Sequence, residues 1–196
     1  MPLTLVTPPA VEPLSLAEAK DHSRVDTTTE DALIDALIQA ARGHAEDALG
    51  RALIEQTWDW TLDCFDAVVL AAVPLPPLRS VTSIKYLDAA GAQQTLDPAL
   101  YRVSNIGADR RAGAIEPAPG QSWPGLYPVS LPVTIRFSAG YGGAGNMVPA
   151  PIRAAMLLVL GDLYRNREAQ IIGPIVADNR AVQALLAPYR VWGFGA

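Results

Sequence analysis

The sequence is poor in charge and has a single cysteine. Charged residues make up 18% of the 196 residues, and the formal net charge is -5 at pH 7. Tight binding of duplex DNA needs clustered Lys and Arg side chains that displace counterions from phosphates, so this acidic balance argues against it. One cysteine, Cys64, excludes an internal disulfide framework and gives no zinc signature. We interpret Cys64 as a buried or half-buried thiol and expect the protein to be made in the cytoplasm.

Long hydrophobic runs are also missing. The best candidate for a membrane span, residues 152–160, is too short and contains Arg153. The N-terminal residues show neither a basic stretch nor an extended apolar one, so we expect no signal peptide. Half of the residues are nevertheless hydrophobic, which is enough for one substantial core. We therefore expect a folded chain that is not directed to a membrane.

No motif for catalysis is visible. His22 and His44 are far apart, and acidic neighbours are common on amphipathic helices, so we interpret both as surface or interface residues. No His-x-x-x-His or Asp-x-Asp spacing indicates a metal. The glycine-rich segment 140–145 lacks the Lys-Ser/Thr of a phosphate-binding loop, and Pro149 and Pro151 remove N–H donors, which favours a hinge. The sequence therefore predicts no catalytic, cofactor-binding or metal-binding residues and a protein that is not an enzyme.

Helix signals lie near both ends of the chain. Ser15 and Glu18 form a capping-box pattern that predicts a short helix over 16–22. A second helix is predicted over 29–49, with Gly50 as its stop.

The C-terminal part contributes two more predicted helices. Residues 152–166 are apolar almost all round, which predicts a central helix buried on several sides. The last helix should begin at Asp178 as N-cap and run through Ala187, because Pro188 blocks continuation.

The middle of the chain has the texture of strands. Large apolar and polar residues alternate around Trp58 and Trp60, prolines exclude long helices, and 88–91 reads as a hairpin turn. Trp58, Trp60 and Tyr86 are interpreted as core residues in preference to a ligand-stacking platform. The predicted fold class is α+β: a helical core of about four helices with an inserted small β-rich module. The predicted domains are 1–52, helical; 53–145, the β-rich insertion; and 146–196, C-terminal helices and a docking tail that pack with 1–52.

The C-terminal tail is the candidate site. It contains Tyr189, Arg190, Val191, Trp192 and Phe194, and aromatic residues with an arginine are enriched at protein interfaces. A fraying tail has little reason to carry them, and we favour a docking tail over a tail folded back on its own core. We expect residues 187–196 to be loosely held in the free subunit and to become ordered on a partner.

Taken together, the motifs resemble the head-tail connector, or adaptor, proteins of long-tailed phages and prophages, and also the adaptor of bacterial gene transfer agents. Examples are Pro149-Ala-Pro-Ile-Arg-Ala-Ala155 and Leu186-Ala-Pro-Tyr-Arg190. The resemblance runs in order through segments 14–26, 30–34, 50–58, 76–86, 96–101, 119–123, 137–141, 149–155, 164–168 and 186–190. The sequence departs from relatives at Ser23, where they commonly carry leucine.

The resemblance implies a structural role in the neck of a virion made in a bacterial host. It implies a ring of about twelve subunits beneath the portal protein, joining the DNA-filled head to the tail, with the C-terminal segment on the portal. The expected partners are the portal, neighbouring adaptor subunits and the next neck or tail component, while DNA passes through the lumen without tight binding. It carries over no catalytic residues.

Two alternatives remain open at this stage. One is a tail-completion or stopper protein, one step farther from the portal. The other is a small-ligand-binding or hydrolytic domain in which Trp58 and Trp60 line a pocket and His44 or an acid acts as base. That domain would need converging polar groups, whereas the sequence shows dispersed ones.

Overall fold

The chain forms two compact units, each built from two separate stretches. The first comprises Met1–Ala10 and Glu55–Gly142, and the second comprises Val11–Ile54 and Gly143–Ala196. The computed structural model describes residues 2–109, 111–166 and 179–191. Within these ranges the strands lie in the first unit and the longer helices in the second. The predicted α+β class is confirmed.

A five-stranded antiparallel sheet organises the first unit, in the order β1-β2-β7-β3-β4. A separate pair, β5 and β6, forms a two-stranded sheet, and a short helix, α3, lies between β2 and β3. The bounds are β1 Leu3–Thr7, β2 Gln56–Leu62, α3 Ala67–Leu70, β3 Leu78–Leu87, β4 Gln93–Thr95, β5 Tyr101–Ser104, β6 Ala114–Pro117 and β7 Val133–Ala139.

The edge strand β1 was not predicted. Residues 1–10 were expected in the helical part, yet Leu3 and Leu5 pair with Trp60 and Trp58 of β2. The segment between Pro2 and Pro8 alternates leucine with threonine and valine, and prolines are tolerated at the borders of an edge strand. Strand β1 was not predicted because its segment is rich in proline and because its partner, β2, lies about fifty residues further along the chain.

Large apolar side chains of the central strands form the core of this unit. Trp60 lies beside Ile135 of β7, which in turn lies beside Ile84 of β3, and all three are buried. The core role predicted for Trp60 is confirmed, and Trp58 is half-buried next to Phe137.

Tyr86, the third member of the predicted aromatic cluster, has other partners. Its ring meets Phe65 edge-on at 6.2 Å, and Phe65 stacks on Trp123 at 4.6 Å. Cys64, just before Phe65, is exposed, so the prediction of a buried or half-buried thiol is wrong. Cys64 is exposed because it lies beyond the end of β2, whose last buried residue is Leu62.

The predicted hairpin turn is confirmed between β3 and β4. Gly91 donates to the carbonyl oxygen of Asp88 at 2.8 Å and has a φ of +82°, which glycine adopts without strain. The Asp88 carboxylate accepts hydrogen bonds from the N–H groups of Ala90 and Ala92, both at 3.0 Å. This is the local chemistry that favours aspartate at a turn.

An ion pair joins β2 and β7 on the polar face of the sheet. The Arg136 guanidinium donates to both carboxylate oxygens of Asp59, at 2.8 and 2.7 Å. These hydrogen bonds are the main cause that holds the pKa of Asp59 below its ordinary value of 3.8, and the charge of Lys85 acts in the same direction.

This pair predicts an acid-dependent stability. A carboxyl whose pKa is lower in the folded state stabilises the fold at neutral pH, and that contribution is lost as the pH falls through the folded pKa. Asp59→Asn should therefore lower the urea midpoint at pH 7, and the gap to the wild type should narrow toward pH 3. Urea titrations at both pH values measure this. An equal difference in urea midpoint at pH 7 and pH 3 would show that the ionised Asp59 carboxylate does not stabilise the fold.

In the described part of the second unit there are two long α-helices and two short ones. The bounds are α1 Leu16–Ser23, α2 Asp31–Leu49, α4 Ala150–Arg165 and α5 Arg180–Leu186. The capping box is confirmed: the Glu18 N–H donates to Ser15 Oγ at 3.2 Å, and the Ser15 N–H donates to the Glu18 carboxylate at 2.9 Å. Gly50 ends α2 with a φ of +65°, as predicted.

Helix α4 packs against α1, α2 and α5. It buries Ile152, Ala155, Met156 and Leu160, while Leu163 is 40% exposed. The prediction of burial on several sides is met by three neighbouring helices, although one side of α4 stays open.

The last helix begins one residue later than predicted. Asn179 is the N-cap of α5, since its side chain accepts a hydrogen bond from the Ala181 N–H at 3.2 Å. The predicted cap, Asp178, lies outside the described residues. The helix ends at Leu186, and Pro188 lies in the 3-10 turn that follows, Ala187–Tyr189.

The glycine-rich segment 140–145 coincides with a unit border, which falls between Gly142 and Gly143. Gly145, in the second unit, is a point of close backbone approach: a Cβ there would lie 2.7 Å from the Pro13 carbonyl oxygen and 2.8 Å from that of Glu12. Its flexibility as a hinge remains a prediction.

Candidate functional site at the C-terminal segment

The described part of the predicted docking tail lies against the C-terminal end of α2. The last carbonyl groups of a helix have no partner within the helix and need donors from elsewhere. The Val191 N–H donates to the Leu49 carbonyl at 2.8 Å, and Arg190 Nε donates to the Ala48 carbonyl at 3.0 Å. Residues that follow α5 therefore supply hydrogen-bond donors to the last carbonyl groups of α2, which belongs to the other stretch of the second unit.

Arg190 also contacts its own helix. Its Nη2 donates to Gln183 Oε1 at 3.2 Å. A cation at a helix C-terminus is favoured by the helix dipole, so the guanidinium both caps α2 and links α2 to α5. Part of its hydrogen-bonding capacity is thus used within the subunit.

Arg51 holds the segment from the other side. It is buried, and its Nε donates to the Tyr189 carbonyl. A charged group removed from water needs such partners, which makes this contact structurally important. Only the resemblance singled out the segment that contains Arg51, and its role could not be read from composition.

The loop that carries Arg51 is itself fixed by an ionic cluster. Arg42 donates to Glu12 and to Glu46, both at 2.8 Å. The other oxygen of Glu46 accepts the Leu53 N–H at 2.9 Å. The turn after α2 is therefore held at both Gly50 and Leu53, and Arg51 lies between them.

These contacts decide part of the tail prediction. Tyr189, Arg190 and Val191 lie together at the end of α2, each half-buried. The expectation that 187–196 is loosely held is wrong for 187–191, because four hydrogen bonds to α2, α5 and Arg51 anchor them. Trp192 and Phe194, the other docking candidates, lie outside the described residues.

The histidines are not brought together. His22, at the end of α1, and His44, within α2, are both exposed. Across residues 2–109, 111–166 and 179–191 there is no group of three His, Cys, Asp or Glu side chains able to hold a metal ion. In the same ranges, no helix is both long and apolar enough to span a bilayer.

A polar cleft of about 300 Å³ lies where α1 and α4 end. Its lining residues are His22, Ser23, Arg24, Gly161, Tyr164 and Arg165. Two helices present their C-terminal, partially negative ends here, so basic side chains are favoured simply as neutralising groups. Trp58 and Trp60 do not line this cleft; Trp60 is buried in the sheet core.

Comparison with known proteins points to one class of protein. The model of the phage gp6-like head-tail connector protein family matches residues 13–89. No curated protein matches the sequence.

Solved structures extend the similarity to the whole chain. A chain in the neck of an empty gene transfer agent particle, computed with C6 symmetry, has a TM-score of 0.78 and 26% identity, covering 100% of this chain and 99% of that one. A chain in the virion of the native gene transfer agent particle gives the same values. A chain in the neck of the native particle, computed with C12 symmetry, has a TM-score of 0.75 at the same identity and coverage.

The two kinds of comparison agree with each other and with the motifs. They point to the neck of a virion, the location that the sequence predicted. The predicted relationship to the phage head-tail connector family is confirmed, and the role of this chain is that of a structural connector.

Proposed function

We propose that the chain is the adaptor of a phage or phage-like particle: a ring of about twelve copies beneath the portal that joins the DNA-filled head to the tail. The observation that carries the proposal is the full-length similarity to chains of gene transfer agent necks, one of them computed with C12 symmetry. Twelve copies and the place beneath the portal remain the expectation from the resemblance.

The longer helices supply surfaces for neighbouring copies. Rings close through heterologous contacts, in which two different surfaces of the same subunit meet. Leu33 of α2 and Leu163 of α4 are 38% and 40% exposed, and removing such apolar side chains from water between two copies would stabilise the contact. We expect α2 and α4 to contribute to the contact between adjacent copies.

The tail is proposed to reach the portal from a fixed base. Residues 187–191 are anchored on α2, so the residues that follow start from a defined position. Anchoring of this kind lowers the entropy that docking must offset, because fewer residues have to be ordered on the partner. Trp192 and Phe194 are the docking residues, while Tyr189, Arg190 and Val191 form the base.

DNA is proposed to pass through the ring without being held. The net charge of -5 leaves little excess of cations to release counterions from phosphates. No enzymatic step is part of this function, and the chain is proposed to have no catalytic activity.

Location in the particle is the first test. A strain in which a peptide-tagged copy replaces the native chain should yield particles that bind gold-labelled antibody at the head-tail junction in electron micrographs. The reconstructed neck should show a ring of about twelve copies. Label on the capsid or the tail tip, or one or two copies per particle, would overturn the proposal.

Docking on the portal is tested by ending the chain after Val191. The base keeps its contacts, so the melting temperature should stay within a few degrees of the wild type. Binding to purified portal rings should be lost, since truncating central aromatic anchors typically costs at least about 2 kcal/mol each. Retained portal binding would show that Trp192 and Phe194 are not the docking residues.

A further inference from the structure

A short loop at one end of the large sheet is held in a fixed shape. Loop 127–132 is closed at its base by Leu87, which accepts from the Tyr127 N–H and donates to the Pro132 carbonyl, both at 3.0 Å. A third contact joins the Leu131 N–H to the Asp63 carboxylate at 2.9 Å. The Tyr127 ring lies over Gly91 of the hairpin turn, where a Cβ would come within 3.3 Å of it.

Residues 127–131 are all exposed, and four of these five are apolar; Ser130 is the polar one. Tyr127, Val129 and Leu131 are 42%, 48% and 39% exposed, and they alternate with Pro128 and Ser130. Loops at a protein surface are usually polar, and neighbouring exposed apolar residues indicate an interaction site.

Leu131 is in addition unfavourable for the backbone. Its φ is +56°, in the left-handed region that glycine or asparagine adopts at lower cost. Leucine is less suited to this conformation than glycine or asparagine, and its side chain is 39% exposed in the subunit. Strain retained at an exposed position points to a function outside the subunit.

The loop lies at the end of the sheet where β2 and β3 finish and β7 begins, because Leu62 and Tyr86 both pair with Val133. The segments of chain that lead to the second unit leave from the opposite end, next to Thr7, Gln56 and Ala139. The end that carries the loop has no such connection.

Two carboxylates flank the loop. The Asp63 carboxylate accepts the Leu131 N–H, and the backbone of Asp88 pairs with Leu126 just before the loop. The Asp88 carboxylate, which accepts from the N–H groups of Ala90 and Ala92, belongs to an exposed turn. A complementary surface would therefore be apolar in the centre and basic at its border. A second copy of a chain with a net charge of -5 is a poor match for that requirement.

We propose that loop 127–132 docks a different protein of the neck, one with an apolar recess bordered by Lys or Arg side chains, into which Tyr127, Val129 and Leu131 insert. The inference rests on the proposed function, since it assigns a surface to the neck component that follows this ring. The loop needs no ordering on binding, which favours affinity.

The test is the double variant Val129→Ser/Leu131→Asn, introduced in place of the native chain in a particle-producing strain. Asparagine suits the positive φ, so the variant should fold and melt no lower than the wild type. The matched control is Ile106→Ser: Ile106 is 57% exposed and lies at the opposite end of the sheet, next to Gly107, which bonds the Leu78 carbonyl.

Heads that carry the tagged double variant at their vertex should assemble, while the number of tailed particles falls about tenfold or more. The control should give tailed particles at the wild-type number. Normal tailing by the double variant would overturn the proposal. So would failure to form the ring, because the loop would then contact neighbouring copies. Wild-type label away from the head-tail junction would instead overturn the proposed function, and this reading with it.

Discussion

Ending the chain after Leu186 is expected to lower the free energy of unfolding by about 3 kcal/mol, whereas ending it after Val191 should leave it almost unchanged. Only the first truncation removes Arg190 and Val191, which donate to the Ala48 and Leu49 carbonyls. It also removes the Tyr189 carbonyl, which accepts a hydrogen bond from buried Arg51. A hydrogen bond to a charged group contributes roughly 1.5 to 3 kcal/mol, and two of these three contacts involve a guanidinium.

Urea unfolding of the two truncated proteins, followed by circular dichroism at 222 nm, measures this difference. The two truncated proteins differ only in residues 187–191. Both lack the residues after Val191, so the effect of removing those residues cancels in the comparison. Equal stability of the two would mean that the base of the tail contributes nothing to the fold. A loss of stability in the longer one would place the residues after Val191 in the subunit's own core.

A second large effect is expected at Gly145. The Gly145→Ala methyl group would come within 2.7 Å of the Pro13 carbonyl oxygen, and backbone atoms cannot rotate away as a side chain can. The expected cost is about 1 to 3 kcal/mol, as for other substitutions that force atoms into packed regions.

Gly143→Ala is the matched control, since nothing lies within 4 Å of a Cβ at that position, two residues away. It should be neutral or slightly stabilising, because alanine restricts the unfolded chain. Thermal melts of both variants give the comparison. A loss at Gly143 equal to that at Gly145 would show that chain flexibility in 140–145, and not close backbone approach, is what the fold requires.

Features with local causes could be predicted from the sequence. The start of α1 follows from Ser15 and Glu18, three residues apart, and the end of α2 follows from Gly50, which tolerates a positive φ. The turn at Asp88 likewise needs only the residues within it. In each case the donor and the acceptor lie within one turn of chain.

Features that depend on distant partners were missed. Residues 3–7 form a strand only because β2 offers an edge, and their own prolines masked that tendency. The base of the tail is fixed by the backbone carbonyls of Ala48 and Leu49. Because every residue has a backbone carbonyl, the residue types at these positions could not predict this contact. The same holds for loop 127–132, which is held by hydrogen bonds to Leu87 and Asp63, both distant in sequence.

The discontinuity of both units has a consequence for synthesis on the ribosome. Strand β1 emerges about fifty residues before its partner β2, and the central strand β7 comes after β2, β3 and β4. Helices α1 and α2 likewise cannot pack against α4 until the whole sheet has been made, because α4 follows β7 in the chain. Contacts so distant in sequence slow folding. We therefore expect nascent chains that end before β7 to expose the unpaired edges of β1 and β2, and to need a chaperone until β7 and α4 have emerged.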